Sequence, residues 1–198
     1  MKPWIEVIGG NKWYYGSEEN DLKLTVSLLA KALSHINRFG GHTSEPYSVA
    51  QHSVWVADHL WREHLDPKLA MAGLLHDAPE MLIGDITTPF KWYLNGEAMD
   101  RIEAEETRAY KAILKAFELS LDLTADQETA VKKADRIAVI TEKREFLCPT
   151  VKWGPEHLGG QVADRDTILA RRHKEAAKDF VIAFNFFKSE MNVSSKNA

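Results

Sequence analysis

The chain has 198 residues, 44% of them hydrophobic and 27% charged, with a formal net charge of −4. This composition excludes a disordered chain and allows one domain with a substantial core, while the mild acidity leaves no electrostatic footprint for polymeric nucleic acid. No apolar run approaches a membrane span, the N-terminus has no signal-peptide core, and the single cysteine, Cys148, excludes an intrachain disulfide, so a cytoplasmic location is expected.

In chain order, WIEVI and KWYY alternate apolar and polar residues around Gly9-Gly10-Asn11, which predicts a β-hairpin. Two strands alone are marginal, so the hairpin is expected as a small appendage. After a polar loop over 16–21, Val26, Leu29, Ala30, Leu33 and Ile36 recur at helical spacing, and Gly40-Gly41 ends that helix. Ser48 is placed to cap a second helix reaching His64, with Gln51 completing a capping box. Pro67 suits the first turn of a third helix over 67–78, and Pro79 ends or kinks it because it cannot donate to the Leu75 carbonyl. Gly84 and Pro89 mark a loop. Further helices are predicted over 97–119, from a Thr124 or Asp126 cap to Phe146, and over 164–188. The loop 148–160 is rich in Pro and Gly, Cys148 reads as a half-buried small hydrophobe, and the tail MNVSSKNA reads as frayed. The sum is an all-α bundle of about six main helices with a short N-terminal β-hairpin, a single domain over 1–198. The apolar run FVIAFNFF near the C-terminus packs within the chain or across a dimer, and a homo-oligomer is expected.

The run LLHDAPEMLIGDITTPFK, Leu74 to Lys91, carries the densest chemistry. His76 and Asp77 together offer an imidazole nitrogen and a carboxylate oxygen, a pair suited to a divalent metal. His52 shares the apolar stripe of its helix with Val49 and Val56, and Asp135 shares a face with Val131 and Ala138. An uncompensated carboxylate there is costly, so Asp135 needs either an Arg partner or a metal. Three helices thus each carry an inward-facing group of ligand type, a set of two nitrogens and two oxygens that helix packing can bring to a point. Glu80, one turn after His76, reads as an exposed carboxylate or cap, or as a general acid/base. Arg38 and Lys91 are candidate phosphate contacts, and Lys12, Lys31 and Arg136 are weaker ones. His59 and His64 read as solvated, His157 and His173 lack a partner at ligand spacing, and His35 and His42 flank the RFGG loop.

The pattern His52, His76-Asp77, Asp135 resembles the signature of the HD-domain phosphohydrolases. SVAQHS, LLHDAPEMLIGDITTPFK and KKADRI are similar to the bacterial 5′-deoxynucleotidase (YfbR-like) branch, over Leu33 to about Phe146. The resemblance implies that His52, His76, Asp77 and Asp135 hold one divalent cation, Co, Mn or Zn, with Mg or Ni as alternatives. It implies that Glu80 positions or protonates, that Asp85 contacts the sugar hydroxyl or a water network, and that Arg38 binds phosphate with Lys91 near it. Phe39 and Thr88, in the Arg-aromatic pair and the GD-x-x-TP-x-K extension, join the substrate contacts. The branch carries Trp after that Arg where this chain has Phe39, which bears on sugar selectivity. The stretch ALSHINRFGGHTSEPYSVAQHS also resembles phage relatives that hydrolyse dATP to deoxyadenosine and triphosphate; the host cytoplasm is the expected location of a phage-encoded protein. The expected substrate is a small nucleotide, a deoxyribonucleoside 5′-monophosphate first and a dNTP as the alternative. A non-catalytic nucleotide-binding HD protein is the third reading.

Overall fold

The computed structural model describes residues 2–194. Strands β1 (Trp4–Val7) and β2 (Asn11–Tyr14) pair antiparallel, with Trp4 opposite Tyr14 and Val7 opposite Asn11. Helices follow as α1 (Val26–His35), α2 (Val49–His64), α3 (Pro67–Leu75), α4 (Glu80–Ile83), α5 (Thr88–Leu94), α6 (Gly96–Ala116), α7 (Ala125–Phe146), α8 (Pro155–Leu158) and α9 (His173–Ser194), with a 3-10 turn over Arg38–Gly41. The six main helices expected from periodicity are α1, α2, α3, α6, α7 and α9. None of the helices is long and apolar enough to cross a membrane.

The bundle is built around α2 and α3. Asp66 accepts from the backbone N–H groups of Lys68 and Leu69, Pro67 opens the first turn of α3, and Leu65 takes a left-handed conformation to reverse the chain. The two helices approach so closely that a Cβ on Gly73 would lie 2.5 Å from Leu60 Cδ1. α9 packs on α1, α2 and α3, and α7 packs on α2 and α3. Leu33, Leu60, Met71, Leu74, Ile113 and Phe180 are essentially dry at the centre. Each such side chain contributes about 1.5–3 kcal/mol of burial.

Several expectations need correction. First, the third helix stops at Leu75, not residue 78: Pro79 offers no N–H, and the Leu75 carbonyl accepts from Ala78 instead. His76 and Asp77 therefore stand on a turn between α3 and α4. Second, the last helix begins at His173 rather than 164, because Asp164 accepts from the Asp166 N–H in a side-chain turn, and Arg144 donates to the carbonyls of both. This helix runs to Ser194, past the predicted 188; the rest of the tail expected to fray, residues 195–198, lies outside the described residues. Third, the hairpin is no appendage. Trp13 is 1% exposed and its indole N–H donates to Glu105 of α6 at 2.7 Å. Fourth, Cys148 is exposed. Fifth, His59 is not solvated: its ring stacks on Trp55, and Nδ1 lies 3.1 Å from the Asp164 carboxylate. Ser48 caps α2 through the Gln51 N–H as expected, but the Gln51 side chain turns away to Leu169 and Arg171 rather than closing the box. Thr124 and Gln127 do form a reciprocal capping box on α7.

Candidate active site and metal centre

Three elements meet at one point. α2 presents His52, the turn after α3 presents His76 and Asp77, and α7 presents Asp135. The Nε2 atoms of the two histidines are 3.3 Å apart. Asp77 Oδ2 lies 3.3 Å from His52 Nε2 and 3.2 Å from His76 Nε2. Asp135 Oδ1 lies 3.2 Å from His52 Nε2 and 3.9 Å from His76 Nε2. The ligand atoms offered by His52, His76 and Asp135 all fall within 4.8 Å of one another.

The donor set fits a divalent cation on two counts. Bonds of about 2.1 Å from one centre place neighbouring ligand atoms about 3.0–3.4 Å apart, the spacing found for most of these pairs. Both Nδ1 atoms are also engaged on the far side of the rings. His52 Nδ1 donates to Glu142 Oε1 at 2.6 Å, and His76 Nδ1 donates to the Gly73 carbonyl at 2.6 Å. Each imidazole is thus fixed in the tautomer whose Nε2 lone pair points at the common centre.

The electrostatics favour positive charge at that centre. Burial opposes protonation of His76, yet Asp77 and Asp135 push its imidazole up to about 10. Burial and Arg38 oppose it at His52, and Glu142, Asp135 and Asp77 still raise that ring well above the usual histidine range. The two imidazoles in turn overcome burial and hold the Asp77 and Asp135 carboxyls below the ordinary aspartate range. Where two carboxylates stabilise imidazolium this strongly, a cation can replace the protons.

Arg38 is buried beside the cluster. Its backbone N–H donates to the Tyr47 carbonyl at 2.9 Å. Its Nε donates to Glu142 Oε2 at 3.1 Å and its Nη1 to Asp77 Oδ2 at 3.2 Å. Neither carboxylate engages Nη2. Burial alone would lower its proton affinity, but Glu142 and Asp77 raise it, so the guanidinium stays charged. Phe39 follows at φ +56, a left-handed conformation uncommon for an aromatic residue and frequent where backbone strain serves a site.

Glu80 opens α4, and its Oε2 is buried without a protein partner among the described residues. Burial, then the charges of Asp77 and Asp85, push its carboxyl well above the glutamate range. Asp85 is raised as well, mainly by burial and against the opposing charge of Arg38. Asp85 lies with Arg38, Phe39 and Thr88 on the wall of a cavity of about 330 Å³. Lys91 does not line that cavity. Its Nζ pairs with Glu106 Oε1 at 2.7 Å. Arg136 does line it and donates to the His157 carbonyl at 2.8 Å, while Lys12 sits over the Trp4 ring.

Sequence reasoning missed Glu142, the fully buried carboxylate that holds both His52 and Arg38. Its signal was present: it lies two helical turns after Asp135 on the same face of α7. Trp92, Trp153 and His157 were missed as cavity residues too. They lie on α5 and in the loop around α8, where no periodicity marks which side chains face inward.

Comparison with known proteins matches these features to a family. The model of the YfbR-like 5′-deoxynucleotidase family matches residues 29–144, which include the whole cluster. The uncharacterized protein YfdR of Escherichia coli K12 is 32% identical, over 72% of this chain and 72% of its own. An uncharacterized protein of Rhodobacter capsulatus is 30% identical, over 73% of this chain and 74% of its own. A dATP triphosphohydrolase of Salmonella phage PMBT28 is 40% identical over a shorter stretch, 31% of this chain and 40% of that one.

Proposed function

Because the chain belongs to the YfbR-like 5′-deoxynucleotidase family of HD-domain phosphohydrolases, we propose that it hydrolyses deoxyribonucleoside 5′-monophosphates to deoxynucleoside and phosphate. The observation that carries this reading is the convergence of His52, His76, Asp77 and Asp135, with both Nδ1 atoms committed elsewhere. These four residues hold one divalent cation in this reading. A cation held by them would supply polarisation of a phosphoryl oxygen and a water of lowered pKa.

The chain's own residues supply the rest. Arg38 is kept charged and oriented by Glu142 and Asp77, and offers Nη2 to a phosphate oxygen. Lys91 is a second cation, and its approach to phosphate requires exchange of its Glu106 partner. Water attacks phosphorus in line, the bond from phosphorus to O5′ breaks, and the leaving alkoxide needs a proton. Glu80 is suited to give it, since burial and the neighbouring charges of Asp77 and Asp85 raise its carboxyl well above the glutamate range. Asp85, Phe39 and Thr88 face the sugar and base from the cavity wall. The exposed Ile182 and Phe186 of α9, with Leu169, support a homo-oligomer, which sedimentation velocity tests.

A second reading, release of triphosphate from a dNTP, is favoured by one observation, the similarity to the phage dATP triphosphohydrolase. Incubation with dAMP, AMP, dATP and ATP in the presence of Mn²⁺, Co²⁺ or Zn²⁺, with products separated chromatographically, decides between them. Phosphate from dAMP supports the first and triphosphate from dATP the second. Product from none of the four with any metal excludes both.

A further inference from the structure

Four aromatic rings form a continuous wall in the cavity beside Arg38. Phe39 and Trp153 have centroids 6.4 Å apart, Trp153 and His157 5.6 Å, and His157 and Trp92 5.5 Å. These rings come from three separate parts of the chain: the 3-10 turn, α5 and the loop around α8. Trp92 is 50% exposed, and Phe39, Trp153 and His157 are half-buried, so each keeps ring surface open to the cavity. Such rings are normally sequestered in a core, and a concave apolar surface of this kind gains free energy when a flat ligand covers it.

The wall is also built rather than incidental. Arg136 on α7 donates to the His157 carbonyl and fixes the α8 loop against the helix that carries Asp135. Gly159 packs against the same arginine in a left-handed conformation, so that a Cβ there would lie 3.4 Å from Arg136 Nε. At the other end, the left-handed backbone of Phe39 turns the chain directly after the phosphate-facing Arg38.

We infer that Trp92, Trp153 and His157, with Phe39, are a nucleobase-stacking surface, and that they recognise the base by its face. This deepens the nucleotide reading above and rests on it. A cavity of about 330 Å³ lined by both Arg38 and the aromatic rings takes a nucleoside whose 5′ end meets Arg38, the residue that joins this cavity to the cation cluster through its bond to Asp77. Stacking depends on ring area, so purines are held more tightly than pyrimidines by a modest factor.

The experiment is calorimetric titration of deoxyadenosine and, separately, of deoxyribose 5-phosphate into the wild-type chain, W153A, W153F and W92A. Stacking on one aromatic side chain is worth about 1–3 kcal/mol, so W153A is expected to weaken deoxyadenosine binding by about 5- to 150-fold. W92A weakens it in the same direction, W153F restores most of it, and deoxyribose 5-phosphate affinity stays unchanged, which also shows that the variants are folded. Deoxyadenosine affinity unaffected by W153A and W92A, equal loss for the sugar phosphate, or no nucleoside binding to the wild-type chain overturns the inference. Nucleoside binding with the expected losses, but no phosphate or triphosphate release from any nucleotide, removes the hydrolase reading and leaves the stacking surface in place.

Discussion

His52 Nδ1 and Glu142 Oε1 lie 2.6 Å apart in a position from which water is excluded. The other oxygen of the same carboxylate accepts from Arg38 Nε. One buried acid on α7 thus fixes a ring of the cation cluster and the cation nearest to it. E142A leaves Arg38 buried with only Asp77, and breaking such a pair costs about 3–5 kcal/mol. The freed His52 ring also loses its orienting acceptor, so metal affinity is expected to fall about 10- to 100-fold. E142Q keeps an acceptor for His52 and loses the charge, so its metal affinity falls less. Denaturant melts and cation titrations of the two variants check both effects.

Removal of the cation is expected to lower the thermal midpoint. Each of the two imidazoles has an oxygen of both carboxylates 3.2–3.9 Å from its Nε2, so a cation held among them ties α2, the turn after α3 and α7 together. Restoring Mn²⁺ at about one hundred times its dissociation constant stabilises the fold by about 2.7 kcal/mol. D77A and D135A bind less metal, lose hydrolysis, and show little response to chelator. A wild-type melting curve that does not move with chelator or added cation sinks the metal assignment.

Much of this site was legible because helices announce which side chains share a face. His52 between Val49 and Val56, and Asp135 between Val131 and Ala138, are polar groups on apolar stripes, and the fold brings both to His76 and Asp77. The bundle was legible for the same reason. What escaped lies where periodicity is silent. The loop 147–160 places Trp153 and His157 by a tertiary hydrogen bond from Arg136, which no local pattern encodes. Residues 164–172 have helical composition, but Asp164 and Arg144 divert their backbone groups into side-chain bonds. Glu142 was on a readable face; a carboxylate in the last turns of a charged helix simply resembles a solvated one until its partners are known.

The hairpin is expected to matter for stability. Glu105 accepts from the Trp13 indole and from the Gly16 N–H, and pairs with Arg108. W13F keeps most of the apolar contact but removes one donor to a buried carboxylate, at about 1–3 kcal/mol. W13A adds a cavity and costs about 3–5 kcal/mol. Tyr15, just after the hairpin, donates to the Leu82 carbonyl at 2.6 Å, on α4, the same helix that carries Glu80. Loosening the hairpin is therefore expected to raise the hydrogen-exchange rate of α4 as well as of β1 and β2. Unchanged exchange in α4 in W13A separates the hairpin from the site.

The pH dependence of hydrolysis tests the role of Glu80. Burial, with Asp77 and Asp85 nearby, raises its carboxyl well above the ordinary value of 4.5. A proton donor works in its protonated form, so the raised value keeps Glu80 competent across the range in which an ordinary glutamate is already ionised. Activity through this group then declines as pH rises through the shifted value, which gives kcat an alkaline limb. E80Q cannot deliver the proton, and a general acid contributes about 10²- to 10⁴-fold, so kcat falls by that order and the limb disappears. The loss is smallest with a phosphate ester whose leaving group needs no proton, such as a nitrophenyl ester. If E80Q slows dAMP and the nitrophenyl ester equally and keeps the alkaline limb, Glu80 acts in orientation and the proton comes from elsewhere.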